Sequence, residues 1–127
     1  MTAVVLDASA VLALLLDEPG AERVQAAVGD SVASVVNWAE VAQHLLPRGV
    51  DVALVRSRMF EAGLELEPLT TDDAERAARL HQATRDLGLS LADRCCLALA
   101  GRLGRPALTA DSTWSTASLD VRVELIR

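Results

Sequence analysis

Between Met1 and Leu16 the chain carries a single charged side chain, Asp7. It divides two apolar runs within Val4-Val5-Leu6-Asp7-Ala8-Ser9-Ala10-Val11-Leu12. A lone carboxylate in apolar company is costly unless something pairs with it. The first run, rich in Val and Leu, reads as a buried parallel strand. The second reads as a helix, with Ser9 placed to cap it. Asp7 then falls at the carboxyl end of a strand, where open α/β sheets bind their ligands. The competing reading is that Asp7 itself caps the helix.

The rest of the chain repeats the alternation. Helices are expected over Glu22 to Val28, Asn37 to Leu46, Asp51 to Ala62, Thr71 (as cap) to about Leu87, and from Ser90 to Gly101 or Gly104. Strands are expected at Ser31 to Val35, Leu64 to Leu69, Ala107 to Ala110 and Val121 to Leu125. The alternating Leu64 to Leu69 segment, which contains Pro68, suits a sheet edge. Asp111 to Trp114 reads as a turn or short helix. Strands alternating with helices predict a mainly parallel sheet covered on both faces. The 127 residues suffice for one domain, and no repeat, linker or low-complexity segment divides them.

Composition removes several functions. All 12 basic residues are Arg, so a Walker A loop and Schiff-base chemistry, which need Lys, are excluded. A net charge of −6 argues against bulk electrostatic attachment to nucleic acid, but not against an enzyme using local arginines and metal ions. Only Phe60, Trp38 and Trp114 are aromatic, too few for a base-stacking platform. The adjacent Cys95 and Cys96 point in different directions on a helix and read as reduced thiols. The apolar run Ala10 to Leu16 is too short to span a bilayer, and no basic segment precedes it. A soluble cytoplasmic protein is therefore expected. Hydrophobic residues make up 51%, with a mean hydropathy of +0.27, which leaves apolar surface for a partner or a second copy.

Three further acids stand out. Glu40 is the only charge between Asp30 and Arg48 and shares a helix face with Asn37 and His44. Asp111 follows the strand Ala107 to Ala110 and is the only charge between Arg105 and Asp120. Asp93 lies three residues after Ser90, a spacing that also reads as a capping box. The carboxyl edge of a parallel sheet would gather all four. Clustered carboxylates repel one another without a cation, and hard oxygen donors suit Mg²⁺ or Mn²⁺. Phosphate chemistry is the usual work of such a site. His81, in a charged helix, reads as merely exposed.

The segments VVLDASAVLALL, VVNWAEVAQHL, LSLADRCCLALA and LTADSTW, in this order and spacing, resemble the PIN-domain ribonucleases, specifically the VapC-type toxins of bacterial toxin–antitoxin pairs. The resemblance covers nearly the whole chain. It implies a three-layer α/β/α fold, a homodimer, inhibition by a cognate antitoxin, and endonucleolytic cutting of structured RNA such as transfer or ribosomal RNA. Matched position by position, Asp7, Glu40, Asp93 and Asp111 correspond to the acidic quartet of the family. Ser9, Asn37 and Thr109 correspond to supporting positions. On this reading Asp7 and Asp93 hold the principal metal ion, and Glu40 completes its shell or positions water. Asp111 serves a second ion or the bound substrate. Arg94 is expected to contact phosphate or to form a surface ion pair. The alternatives are a haloacid-dehalogenase-like phosphatase, which lacks here its second Asp and its Lys, and a non-catalytic interaction module whose acids are helix caps.

Overall fold

The computed structural model describes residues 3–116 and 119–127. In chain order the elements are β1 (Val4–Leu6), α1 (Ala8–Leu15), α2 (Ala21–Ala27), β2 (Ser31–Ser34), α3 (Val35–Leu45), α4 (Val52–Ala62), β3 (Leu64–Glu67), α5 (Thr71–Ala83), α6 (Leu91–Leu103), β4 (Ala107–Thr109) and β5 (Val123–Leu125). A 3-10 turn, Ser112–Thr116, lies between β4 and β5. The sheet order is β3-β2-β1-β4-β5, and every pairing is parallel. The chain builds outward from β1 to β3, then returns through α5 and α6 to add β4 on the other side of β1. The order therefore reverses between β1 and β4, which is where such sheets bind ligands.

Alternation along β1 separates the two faces. Val4 and Leu6 pack with Val11, Val24, Val41, Leu45 and Met59, from α1 to α4. Val5 packs on the opposite face with Cys96, Leu97, Leu99 and Ala100 of α6. This is the expected three-layer arrangement. Cys95 and Cys96 are buried and free. Among the described residues no helix is long and apolar enough to cross a membrane.

The departures from expectation are local and have local causes. α3 starts at Val35, not Asn37, because Ser34 accepts a hydrogen bond from the Val36 N–H and overrides the β preference of two adjacent valines. Thr70, not Thr71, caps α5, in a capping box with Asp73, and α5 ends at Ala83 with a 3-10 turn to Leu87. Asp51 is the cap of α4 rather than its first residue. β3 stops at Glu67, before Pro68, at the predicted edge. β5 begins at Val123, two residues later than expected. α6 runs through Gly101 and ends at Gly104, whose φ of 64° suits glycine.

A buried carboxylate at the switch point

β1 delivers Asp7 to the carboxyl edge of the sheet, 3% exposed. It occupies the N-cap position of α1, yet its side chain makes no capping bond. Ser9 does not cap the helix either: it is the second residue of α1, and its hydroxyl turns back to donate to Asp7 Oδ2 at 2.7 Å. Thr109, at the end of β4, donates to the same oxygen at 2.9 Å. Each hydroxyl has one proton, so both are committed to Asp7. The 3.3 Å approach of Ser9 Oγ to Thr109 Oγ1 follows from their shared acceptor. Both hydroxyls also accept: Ser9 Oγ from the Ala110 N–H at 2.9 Å, and Thr109 Oγ1 from the Asp111 N–H at 3.1 Å. The two adjacent strand ends thus grip one carboxylate oxygen. Asp7 Oδ1, also buried, has no partner.

Burial raises the Asp7 pKa above its ordinary value. The two hydroxyls oppose that shift, and the charge of Asp93 adds to it. Glu40, half-buried on α3, is also raised, by burial and then by Asp7 and Asp93, while His44 opposes the shift. Asp7, Glu40 and Asp93 therefore form one electrostatic cluster. Cys96 lies beneath it: burial foremost, then Asp7, Asp93 and Glu40, push its thiol well up and hold it neutral. The sequence reading had no signal for this, because it depends on how α6 rests on β1.

Asp93 has the predicted capping box. Its Oδ2 accepts from the Ser90 N–H at 2.9 Å, and its own N–H donates to Ser90 Oγ at 3.1 Å. Capping uses one carboxylate oxygen, and the Asp93 charge acts on both Asp7 and Glu40. Asn37, fully buried, donates from Nδ2 to the Ala92 carbonyl at 3.1 Å, tying the helix of Glu40 to the first turn of α6. Arg94 is directed elsewhere: Nη1 donates to the Ala77 carbonyl of α5 at 2.8 Å, which fastens α5 to α6. That contact is not the surface ion pair that was one of its two expected roles. Asp111 stands beyond β4, and its Oδ1 accepts from both the N–H and the hydroxyl of Thr113 at 2.9 and 2.7 Å. It shapes the following turn and is not among the charges acting on Asp7 or Glu40. His81 is exposed, as expected.

No three acid, thiol or imidazole groups among the described residues converge as a preformed metal cage. Mg²⁺ does not need one, since it keeps several waters and is commonly bound through one or two carboxylates. The bare, buried Oδ1 of Asp7, and the neighbouring acids that add to the raised pKa of Asp7 and Glu40, fit a hard divalent cation.

A doubly covered parallel sheet with a buried acid at its switch point defines an α/β protein whose candidate site lies between β1 and β4. The PIN domain family matches residues 4–118, so the chain belongs to that family. A search for relatives among curated proteins finds no match. Among solved structures, the chain is similar to a DNA-bound VapBC from Salmonella typhimurium (TM-score 0.73, 16% identity, covering 100% of both chains). It is also similar to VapC20 from Mycobacterium tuberculosis, a sarcin–ricin-loop-cleaving toxin (0.68, 20%, covering 94% of this chain and 98% of that one). A toxin–antitoxin complex from Klebsiella pneumoniae gives 0.69 at 22% identity, covering 86% and 87%.

Proposed function

We propose that the protein is a VapC-type toxin, a Mg²⁺- or Mn²⁺-dependent endoribonuclease that cuts structured RNA and is restrained by a cognate antitoxin. The observation that carries this reading is Asp7: a buried carboxylate with one oxygen gripped by Ser9 and Thr109, and the other bare beside two further acids. Asp7 and Asp93 would hold a divalent cation, with Glu40 completing its surroundings. When bound, that cation polarises the phosphodiester, activates water and neutralises the charge that develops. Ser9 and Thr109 fix the direction of Asp7. Asn37 fixes the spacing between Glu40 and Asp93 by tying α3 to the Ala92 carbonyl. Asp111, held in its own turn, would act on bound substrate or a second ion.

The structural neighbours, toxin–antitoxin complexes and a sarcin–ricin-loop-cleaving toxin, support the reading of partner and substrate. Exposed Leu46, Leu54, Phe60 and Leu91 supply apolar surface for an antitoxin and for a homodimer. A cytoplasmic location follows from the same role. The decisive experiment incubates the protein with folded RNA, with and without Mn²⁺. Cutting that needs the ion and is lost in Asp7→Asn supports the proposal. RNA left intact under all conditions would remove it and favour the interaction-module reading, in which Asp93 and Asp111 serve only as caps.

A further inference from the structure

Gly101 lies inside α6 with ordinary helical backbone, where glycine weakens a helix relative to alanine. No turn or positive φ calls for it. What it does provide is room: a Cβ there would collide with Arg76 Nη1, the end of a side chain reaching across from α5. Arg76 and Arg79, three residues apart and so on one face of α5, line the same cavity of about 480 Å³. Its apolar floor includes Leu80 and Leu97. Neither arginine forms an ion pair or side-chain hydrogen bond among the described residues, unlike Arg23, Arg102 and Arg122, which are all paired with acids. Asp120 lines the cavity as well and is likewise outside every ion pair described.

In a chain of net charge −6, Arg76 and Arg79 place two guanidiniums against the single carboxylate of Asp120 in one concavity, a local excess of positive charge. Guanidinium pairs match phosphate oxygens geometrically, and a carboxylate beside them accepts the hydrogen bond that a ribose hydroxyl donates. Along α6, Gly101 is eight residues beyond Asp93, a rise of about 12 Å, short enough for one RNA strand to reach both. Resting on the ribonuclease reading above, we infer that the Arg76–Arg79 cavity binds a backbone phosphate of the RNA away from the acid cluster. It holds by charge a substrate that the rest of the molecule repels. Gly101 leaves the room that the end of the Arg76 side chain occupies.

The test measures binding of a fluorescently labelled RNA hairpin to full-length protein carrying Asp7→Asn, which prevents cutting, across a NaCl series. Added Arg76→Gln and Arg79→Gln should weaken binding and flatten the slope of log affinity against log salt by about 1 per lost contact. Gly101→Ala changes no charge and introduces a better helix former, so it should fold at least as well. It should nevertheless flatten the slope by about 1, by displacing Arg76. Arg56→Gln with Arg58→Gln on α4 changes the net charge by the same amount and should leave the slope as it was. A parent protein that does not bind the hairpin, a Gly101→Ala protein with unchanged slope, or equal effects of the two arginine pairs would each overturn the inference. Cutting of the same hairpin in Mn²⁺ by protein with Asp7 intact is scored separately. Binding through the cavity without cutting would remove the nuclease reading and keep the cavity, and cutting without the salt effect would do the reverse.

Discussion

Asp7 has one carboxylate oxygen gripped by two hydroxyls and one bare, and its burial, against those two hydrogen bonds, makes ionisation unfavourable in the metal-free fold. Its folded pKa is raised, as is that of Glu40. For a raised carboxyl, the stabilising contribution is fully present below the unfolded value, 3.8 for Asp7, and is lost as pH rises through the folded value. Thermal melts in EDTA should therefore fall as pH increases through the weakly acidic range, and fall less in Asp7→Asn. Excess Mn²⁺ should restore the wild type, by about 2.7 kcal/mol at one hundred times the dissociation constant, and the Asn variant much less. A wild-type melting temperature indifferent to both EDTA and Mn²⁺ would count against the site. The hydroxyls give a second residue-scale expectation. Ser9→Ala leaves every acid in place but frees one side of Asp7, so it should cost about 10–100-fold in metal affinity or cleavage. The isolation of Asp7 was legible in the sequence. The work of Ser9 was not, because its choice between capping a helix and gripping Asp7 is settled by Thr109, one hundred residues away, and by the Ala110 N–H.

At the scale of elements, α6 combines a cap and a candidate metal ligand in Asp93, and two substitutions separate them. Ser90→Ala removes the hydroxyl that accepts the Asp93 N–H, and should destabilise the protein by about 0.5–2 kcal/mol while leaving the metal-induced gain intact. Asp93→Asn retains an oxygen for the Ser90 N–H, so the metal-free melt should stay close to wild type, while the gain from Mn²⁺ shrinks and RNA cutting disappears. Equal behaviour of the two variants would mean that Asp93 is a cap only. The α5–α6 pair supplies a control far from this chemistry. Arg102 Nε donates to buried Asp73 Oδ1 at 2.8 Å. Burial alone would raise Asp73, but Arg102 and the Thr70 cap bonds prevail and lower it. Its contribution is therefore present above 3.8 and is lost as pH falls through the lower folded value. Arg102→Met should cost about 1.5–3 kcal/mol at neutral pH, with the gap to wild type narrowing only in stronger acid. Helix caps and strand edges were readable because a turn fixes them within four residues. Cross-helix fastenings such as Arg94 to the Ala77 carbonyl and Arg102 to Asp73 were not, because helical periodicity says which face is apolar but not which helix covers it.

At the scale of the whole molecule, topology accounts for why acids so far apart in sequence act on one another. Parallel pairing directs all five strands one way, and the reversal between β1 and β4 brings residues 7, 9 and 109 within hydrogen-bond reach. The alternation of strands and helices made that architecture legible, but Asp111 shows its limit. A strand end fixes where a residue emerges, while the next turn decides where its carboxylate points. The outer surface leads to the last expectation. Beside β3, an edge strand, a groove of about 670 Å³ is lined by Trp38, Met59, Leu64 and Leu66, with Phe60 at 70% exposure on its border. An aromatic so placed contributes little to folding but much to association, since burying it removes a large apolar area from water. Phe60→Asp should leave the thermal melt within about 0.5 kcal/mol of wild type and leave RNA cutting unchanged. Co-purification with the proposed antitoxin should be lost, or the mass in light scattering should fall from two chains to one. A variant that melts and cuts like wild type, and still retains both partner and dimer, would place the association surface away from this groove.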